Sequence, residues 1–117
     1  MSKYSFSQKE RIKQDTHFQY LLNEGDKFVS DSFILYKANK KNENQNIGLI
    51  ASKTIGNAVY RNKAKRKLKE MVRQQQYHIH KQFDILLIAR QSLLTTSYQA
   101  LSHEFINSLQ ESSTWID

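Results

Sequence analysis

Eight cationic side chains fall between residues 53 and 73: Lys53, Arg61, Lys63, Lys65, Arg66, Lys67, Lys69 and Arg73. Only one acid, Glu70, stands among them. Eight minus one leaves +7, the formal net charge of the whole 117-residue chain, so the other ten cations and ten acids cancel. At 100° per residue, Asn62, Lys65, Arg66, Lys69 and Arg73 occupy positions i, i+3, i+4, i+7 and i+11 and share one helical face. Lys63 and Lys67 project from the other flank. Arg61 falls in the first turn, where unpaired backbone N–H groups also favour anions. Like charges at this spacing repel, so an external polyanion is expected to relieve them. A solvated lysine-rich helix is the plain alternative, but such helices alternate the sign of their charges, and this one does not. The pattern favours nucleic acid.

Three aromatic residues are candidates for stacking on unpaired bases: Phe18, Phe33 and Tyr36. Periodicity favours a core position for Phe18 and Phe33, whereas Tyr36 faces away from Phe33 across its strand and could line a groove. Enzymatic chemistry by the protein itself is poorly provided for. His17, His78, His80 and His103 form no HExxH-like ligand spacing, there is no cysteine, and Glu70 is alone in the basic segment where metal-assisted phosphodiester cleavage needs converging carboxylates. Gly56 is a lone glycine that permits a turn, with Asn57 as helix N-cap. Neither an autonomous active site nor a protein-bound metal is expected.

The elements that position these residues follow from pattern. Thr16 with Gln19 fits a capping box; Phe18, Leu21 and Leu22 continue at helical spacing, and Gly25 suits the stop. FVSDSFILYKA, residues 28–38, reads as a strand, with a minor strand possible near residue 28. IGLIAS, residues 47–52, reads as its antiparallel hairpin partner across the polar loop 39–46. A long amphipathic helix is expected from about Asn57 to about Tyr77, docked through Ala64, Leu68, Met71 and Val72. FDILLIA, residues 83–89, is apolar throughout and reads as the sheet centre, parallel to a neighbour. Thr96 with Gln99 offers a last cap, and Tyr98, Leu101, Phe105 and Leu109 a last core face. The order α-β-β-α-β-α in a chain of 38% hydrophobic residues predicts one α+β domain over residues 1–117. Without cysteine, a signal-peptide h-region or a membrane-length apolar run, the expected location is the cytoplasm.

SKTIGNAVYRNKAKRKLKE, residues 52–70, resembles the signature of the bacterial ribonuclease P protein component. Lys53, Gly56, Asn57, Ala58, Val59, Arg61, Asn62, Lys65 and Arg66 occupy the family's characteristic positions. Arg11, THFQYLLNEG, the strand ending at Tyr36 and LLIAR ending at Arg90 follow in its order. The resemblance implies a ribonucleoprotein endonuclease that removes the 5′ leader from precursor tRNA, its RNA subunit carrying the chemistry and the required Mg2+. It implies a two-layer α/β sandwich of the ribosomal protein S5 second-domain type, with a left-handed βαβ crossover through the basic helix.

By the same resemblance, Lys53, Asn57, Arg61, Asn62, Lys63, Lys65, Arg66, Lys69 and Arg73 would meet the RNA subunit, while Phe18, Leu22 and Tyr36 would line a cleft for the single-stranded leader. This chain carries Lys63 where the family usually has arginine, keeping charge but losing the bidentate fork. Leu22 replaces an aromatic residue sometimes found in the cleft. A general RNA-binding module of ribosome-associated type, or a stand-alone nuclease, are the rival expectations.

Overall fold

The computed structural model describes residues 19–40 and 43–117. A helix at 19–24 (α1) is followed by β1 (Asp26–Val29), β2 (Phe33–Asn39), β3 (Ile47–Ile50), α2 (Ala58–Gln75), β4 (Phe83–Ala89) and α3 (Tyr98–Glu111). Thr16, Phe18 and Arg11 lie outside the described residues. The α+β order matches expectation, with the minor strand realised as β1. The stretch 28–38 is broken into two strands because residues 30–32, Ser-Asp-Ser, are held in a turn. The Ser30 amide donates to the Phe33 carbonyl at 2.9 Å. Glu104 of α3 accepts from the Ser30 hydroxyl at 2.5 Å, the Ser32 amide at 3.0 Å and the Ser32 hydroxyl at 2.7 Å.

The sheet order is β1-β2-β4-β3. β1 pairs antiparallel with β2, β2 antiparallel with β4, and β3 parallel with β4. β2 and β3 are therefore not hairpin partners, contrary to the sequence expectation. The reason lies in β4, whose Ile85, Leu86 and Leu87 are completely buried. A strand apolar on both faces is best placed with a partner on each edge, so β4 enters between the other two. Hydrogen bonds fasten the end of the 40–46 connection to the start of β4. Gln45 donates to the carbonyls of His80 (2.9 Å) and Phe83 (2.7 Å), and the Asn46 amide donates to Asp84 Oδ1 at 2.7 Å. The parallel β3/β4 pair needs a crossover, and α2 supplies it.

Side chains alternate across the sheet. Phe33, Leu35, Ile85 and Leu87 pack with Ala64, Leu68, Met71 and Val72 of α2 and with Leu101, Phe105 and Leu109 of α3. Ala38 and Leu86 point to the opposite face, where Leu21 of α1 covers them and Tyr36, Ile50 and Ile88 are partly buried alongside. Gly25 ends α1 through its amide, which donates to the Leu21 carbonyl at 2.9 Å. Glycine is needed there for space: a Cβ would stand 2.4 Å from that carbonyl oxygen and 3.0 Å from the Lys37 carbonyl oxygen.

Candidate nucleic-acid interface

The backbone turns into α2 through Gly56, whose φ of 137° is a conformation L side chains rarely adopt. Asn57 then caps the helix, its Oδ1 accepting from the Tyr60 amide at 3.2 Å. Ala64, Leu68, Met71 and Val72 are all at most 2% exposed and form the expected docking stripe. Burying that stripe turns Asn62, Lys63, Arg66, Lys69 and Arg73 outward, where all five are exposed. Arg61 and Lys65 sit half-buried, and Lys53 is exposed in the 3-10 turn Lys53–Ile55 that precedes the helix. Asn57 is itself exposed while serving as cap.

Lys67 departs from the expected pattern. It is only 6% exposed. Its ammonium donates to the Thr96 carbonyl and, at 3.4 Å, to that of Leu94, and lies 5.4 Å from the Tyr98 ring centroid. Desolvation by burial, then the neighbouring charge of Lys63, hold its pKa below the ordinary lysine value. Lys67 therefore fastens α2 to the segment before α3 and does not extend the basic surface.

Seven cations of the segment remain at the surface. Arg73 is locally compensated: it forms a two-pronged pair with Glu70, Nε to Oε1 at 2.9 Å and Nη2 to Oε2 at 2.5 Å. The hydrogen bonds from Arg73 lower the Glu70 pKa, and those to Glu70 raise that of Arg73. Beside this pair, Arg66, Lys69, Glu70, Arg73, Gln74 and Tyr98 line an open groove of about 600 Å³.

Tyr98 was expected in the core of α3. It is 49% exposed. The helix is capped by Ser97, whose hydroxyl accepts from the Ala100 amide at 3.1 Å, and Thr96 instead donates to the Ser92 carbonyl. That shift of one residue makes Tyr98 the first helical position, outside the stripe of Leu101, Phe105 and Leu109. A Ser directly after a Thr left the cap ambiguous in sequence.

Of the expected leader-binding residues, Leu22 is 36% exposed and Tyr36 is half-buried beside Leu86 and Ala38. Phe18 is outside the described residues. Phe33 is wholly buried, edge-on to Phe105 at 6.1 Å, and belongs to the core. The sheet separates Tyr36 from α2. Among the described residues no three His, Asp or Glu side chains gather to hold a metal ion, and no helix is long and apolar enough to cross a membrane.

The family model for Ribonuclease P matches residues 6–113. The chain belongs to the ribonuclease P protein family. The ribonuclease P protein component of Streptococcus agalactiae serotype III (strain NEM316) is 32% identical over 100 residues, 86% of this chain and 91% of the relative. That of Streptococcus pneumoniae (strain Hungary19A-6) is 27% identical over 105 residues, 90% of this chain and 85% of the relative. Among solved structures, the Staphylococcus aureus ribonuclease P protein superposes with a TM-score of 0.76 at 26% identity, spanning 98% of this chain and all of the other. The Thermotoga maritima ribonuclease P protein, at 24% identity, shares the fold with a TM-score of 0.74 over 84% of this chain and 93% of that one. The residues 52–70 that carry the ribonuclease P signature lie inside the matched span and form the 3-10 turn, the cap and most of α2.

Proposed function

We propose that this protein is the protein subunit of a ribonuclease P ribonucleoprotein and assists its RNA subunit in removing the 5′ leader of precursor tRNA. The observation that carries the reading is the surface of α2: a ribonuclease P family chain brings most of its excess charge to the surface along one helix. Lys53, Asn57, Arg61, Asn62, Lys63, Lys65, Arg66, Lys69 and Arg73 would contact the RNA subunit, the arginines by bidentate phosphate pairing and the lysines as point charges. Phe18, Leu22 and Tyr36 would hold the single-stranded leader by apolar and stacking contacts, and Tyr36 lies on the sheet face opposite α2. That separation supports a bridging role, each RNA having its own face and the charge between them being screened.

Bond cleavage belongs to the RNA subunit with its Mg2+ ions, and the protein side chains position and neutralise. In this reading residues 1–117 act as one domain in the cytoplasm. The test is precursor tRNA cleavage by a bacterial ribonuclease P RNA at limiting magnesium, with and without the protein. Stimulation that depends on leader length is expected. No stimulation overturns the reading, and RNA binding indifferent to the leader indicates a general RNA-binding module.

A further inference from the structure

Tyr98 is unusual in what it leaves uncovered. Leu101, Phe105 and Leu109 of the same helix are completely buried, yet Tyr98 is 49% exposed and its ring forms one wall of the groove bordered by Arg66, Lys69 and Arg73. Nor is it alone. Every exposed tyrosine among the described residues borders α2: Tyr60 in its first turn, Tyr77 in the 3-10 turn after its end, and Tyr98 across the groove.

The Tyr98 ring is also held in place. Lys67 Nζ lies over it at 5.4 Å, and Lys67 is itself fixed by the carbonyls of Leu94 and Thr96. An aromatic ring held ready beside a line of cations suits a base on the ring and phosphates on the cations. Three cations against Glu70 exclude an acidic groove and favour an anionic occupant.

We propose that Tyr98 is a stacking seat for one unpaired nucleotide of the RNA subunit, whose flanking phosphates are taken by Arg66 and Lys69. This rests on the proposed function above, and it names a protein contact outside the α2 signature itself.

The test is direct binding of ribonuclease P RNA, without precursor, to the full chain and to Tyr98→Leu and Tyr98→Phe, over a range of salt concentrations. The leucine variant is expected to bind about 5- to 150-fold more weakly, the range of one base–aromatic stack. Its salt dependence should be unchanged, because no phosphate contact is removed. The phenylalanine variant keeps the ring and should bind within about twofold of the parent, the hydroxyl not being needed for stacking. Leucine binding equal to the parent overturns the proposal, as does a flattened salt dependence, which would mean that the cations had moved. A loss seen only in precursor affinity of the assembled holoenzyme overturns the assignment to the RNA subunit. Failure of the parent chain to bind the RNA at all would instead remove the underlying reading.

Photocross-linking from 4-thiouridine-substituted ribonuclease P RNA gives a second readout on the unaltered protein. A cross-link at Tyr98 is expected, and cross-links confined to α2 overturn the proposal.

Discussion

Lys67 Nζ donates to the main-chain carbonyl of Thr96, joining the middle of the basic helix to the segment that leads into α3. A cation inside a charge run thus acts as a strut. Lys67→Met keeps the apolar stem but removes the donor, leaving the carbonyls of Thr96 and Leu94 without that partner. The expected loss is about 1.5–3 kcal/mol, the range for hydrogen bonds to charged groups. Arg66→Met, on the exposed face, should leave stability nearly unchanged and weaken RNA binding. Urea denaturation and RNA titration of both variants check the separation.

Lys67 also sets a pH dependence. Its folded pKa is lowered by burial and by Lys63, so between that lowered value and the ordinary 10.5 the unfolded chain binds more protons than the folded one. Stability contributed by this group therefore rises with pH through that window. The difference in unfolding free energy between the parent and Lys67→Met should shift in favour of the parent as pH approaches 10.5. A difference that shrinks over the same range contradicts the burial argument.

Glu70 is the one acid in the segment, and under the proposed function its pairing with Arg73 is expected to restrain RNA binding. Glu70→Gln removes the countercharge and frees the guanidinium for phosphate. Binding should tighten, and the slope of log affinity against log salt should steepen by about 0.7–0.9 for one added phosphate contact. The same carboxylate has a lowered pKa, so its contribution to stability is present above the ordinary carboxylate range and is lost as pH falls through the lowered value. In the variant that acid-side loss should be absent. Salt-dependent titrations and acid denaturation curves measure the two effects.

Patterns confined to one element were readable in the sequence, whereas those depending on a second element were not. Ala64, Leu68, Met71 and Val72 stood at helical spacing, and all are buried. The β4 run 83–89 was readable as the centre because continuous apolarity requires cover on both sides. The pairing of β3 was missed because adjacency in sequence favours a hairpin, and the choice of β4 as partner lies in the contacts of the 40–46 connection with Phe83 and Asp84. Lys67 looked like its neighbours because its role is fixed by carbonyls 27 and 29 residues away. Tyr98 was misplaced by a one-residue ambiguity in the cap.

Gly56 and Asn57 should matter through different physics. Gly56→Ala puts a Cβ 3.1 Å from Tyr60 Cδ2 at a φ of 137°, and such strain costs about 1–3 kcal/mol. Asn57→Ala leaves the Tyr60 amide without its cap and should cost about 1 kcal/mol. Asn57→Ser can restore a side-chain acceptor and should recover most of that loss. If Asn57 also contacts RNA, the serine variant will recover stability without recovering affinity. Denaturation and RNA titration of the three variants decide whether Asn57 is a cap alone.

Phe33 and Tyr36 lie three residues apart on β2 and should respond in opposite ways. Phe33 is fully buried against Phe105, so Phe33→Ala creates a core cavity and should cost about 3–5 kcal/mol of stability. Tyr36 is half-buried on the other face, packed with Leu86, Ala38 and Leu21 of α1. Tyr36→Leu keeps apolar cover over Leu86 and should fold. In the assembled ribonucleoprotein its affinity for precursor tRNA with a long leader should fall by about 5-fold or more, the lower end of a base–aromatic stack. Affinity for a substrate with its leader cut to one nucleotide should not change. Equal loss on both substrates would place Tyr36 in the support of the fold, and no loss on either would remove it from the leader cleft.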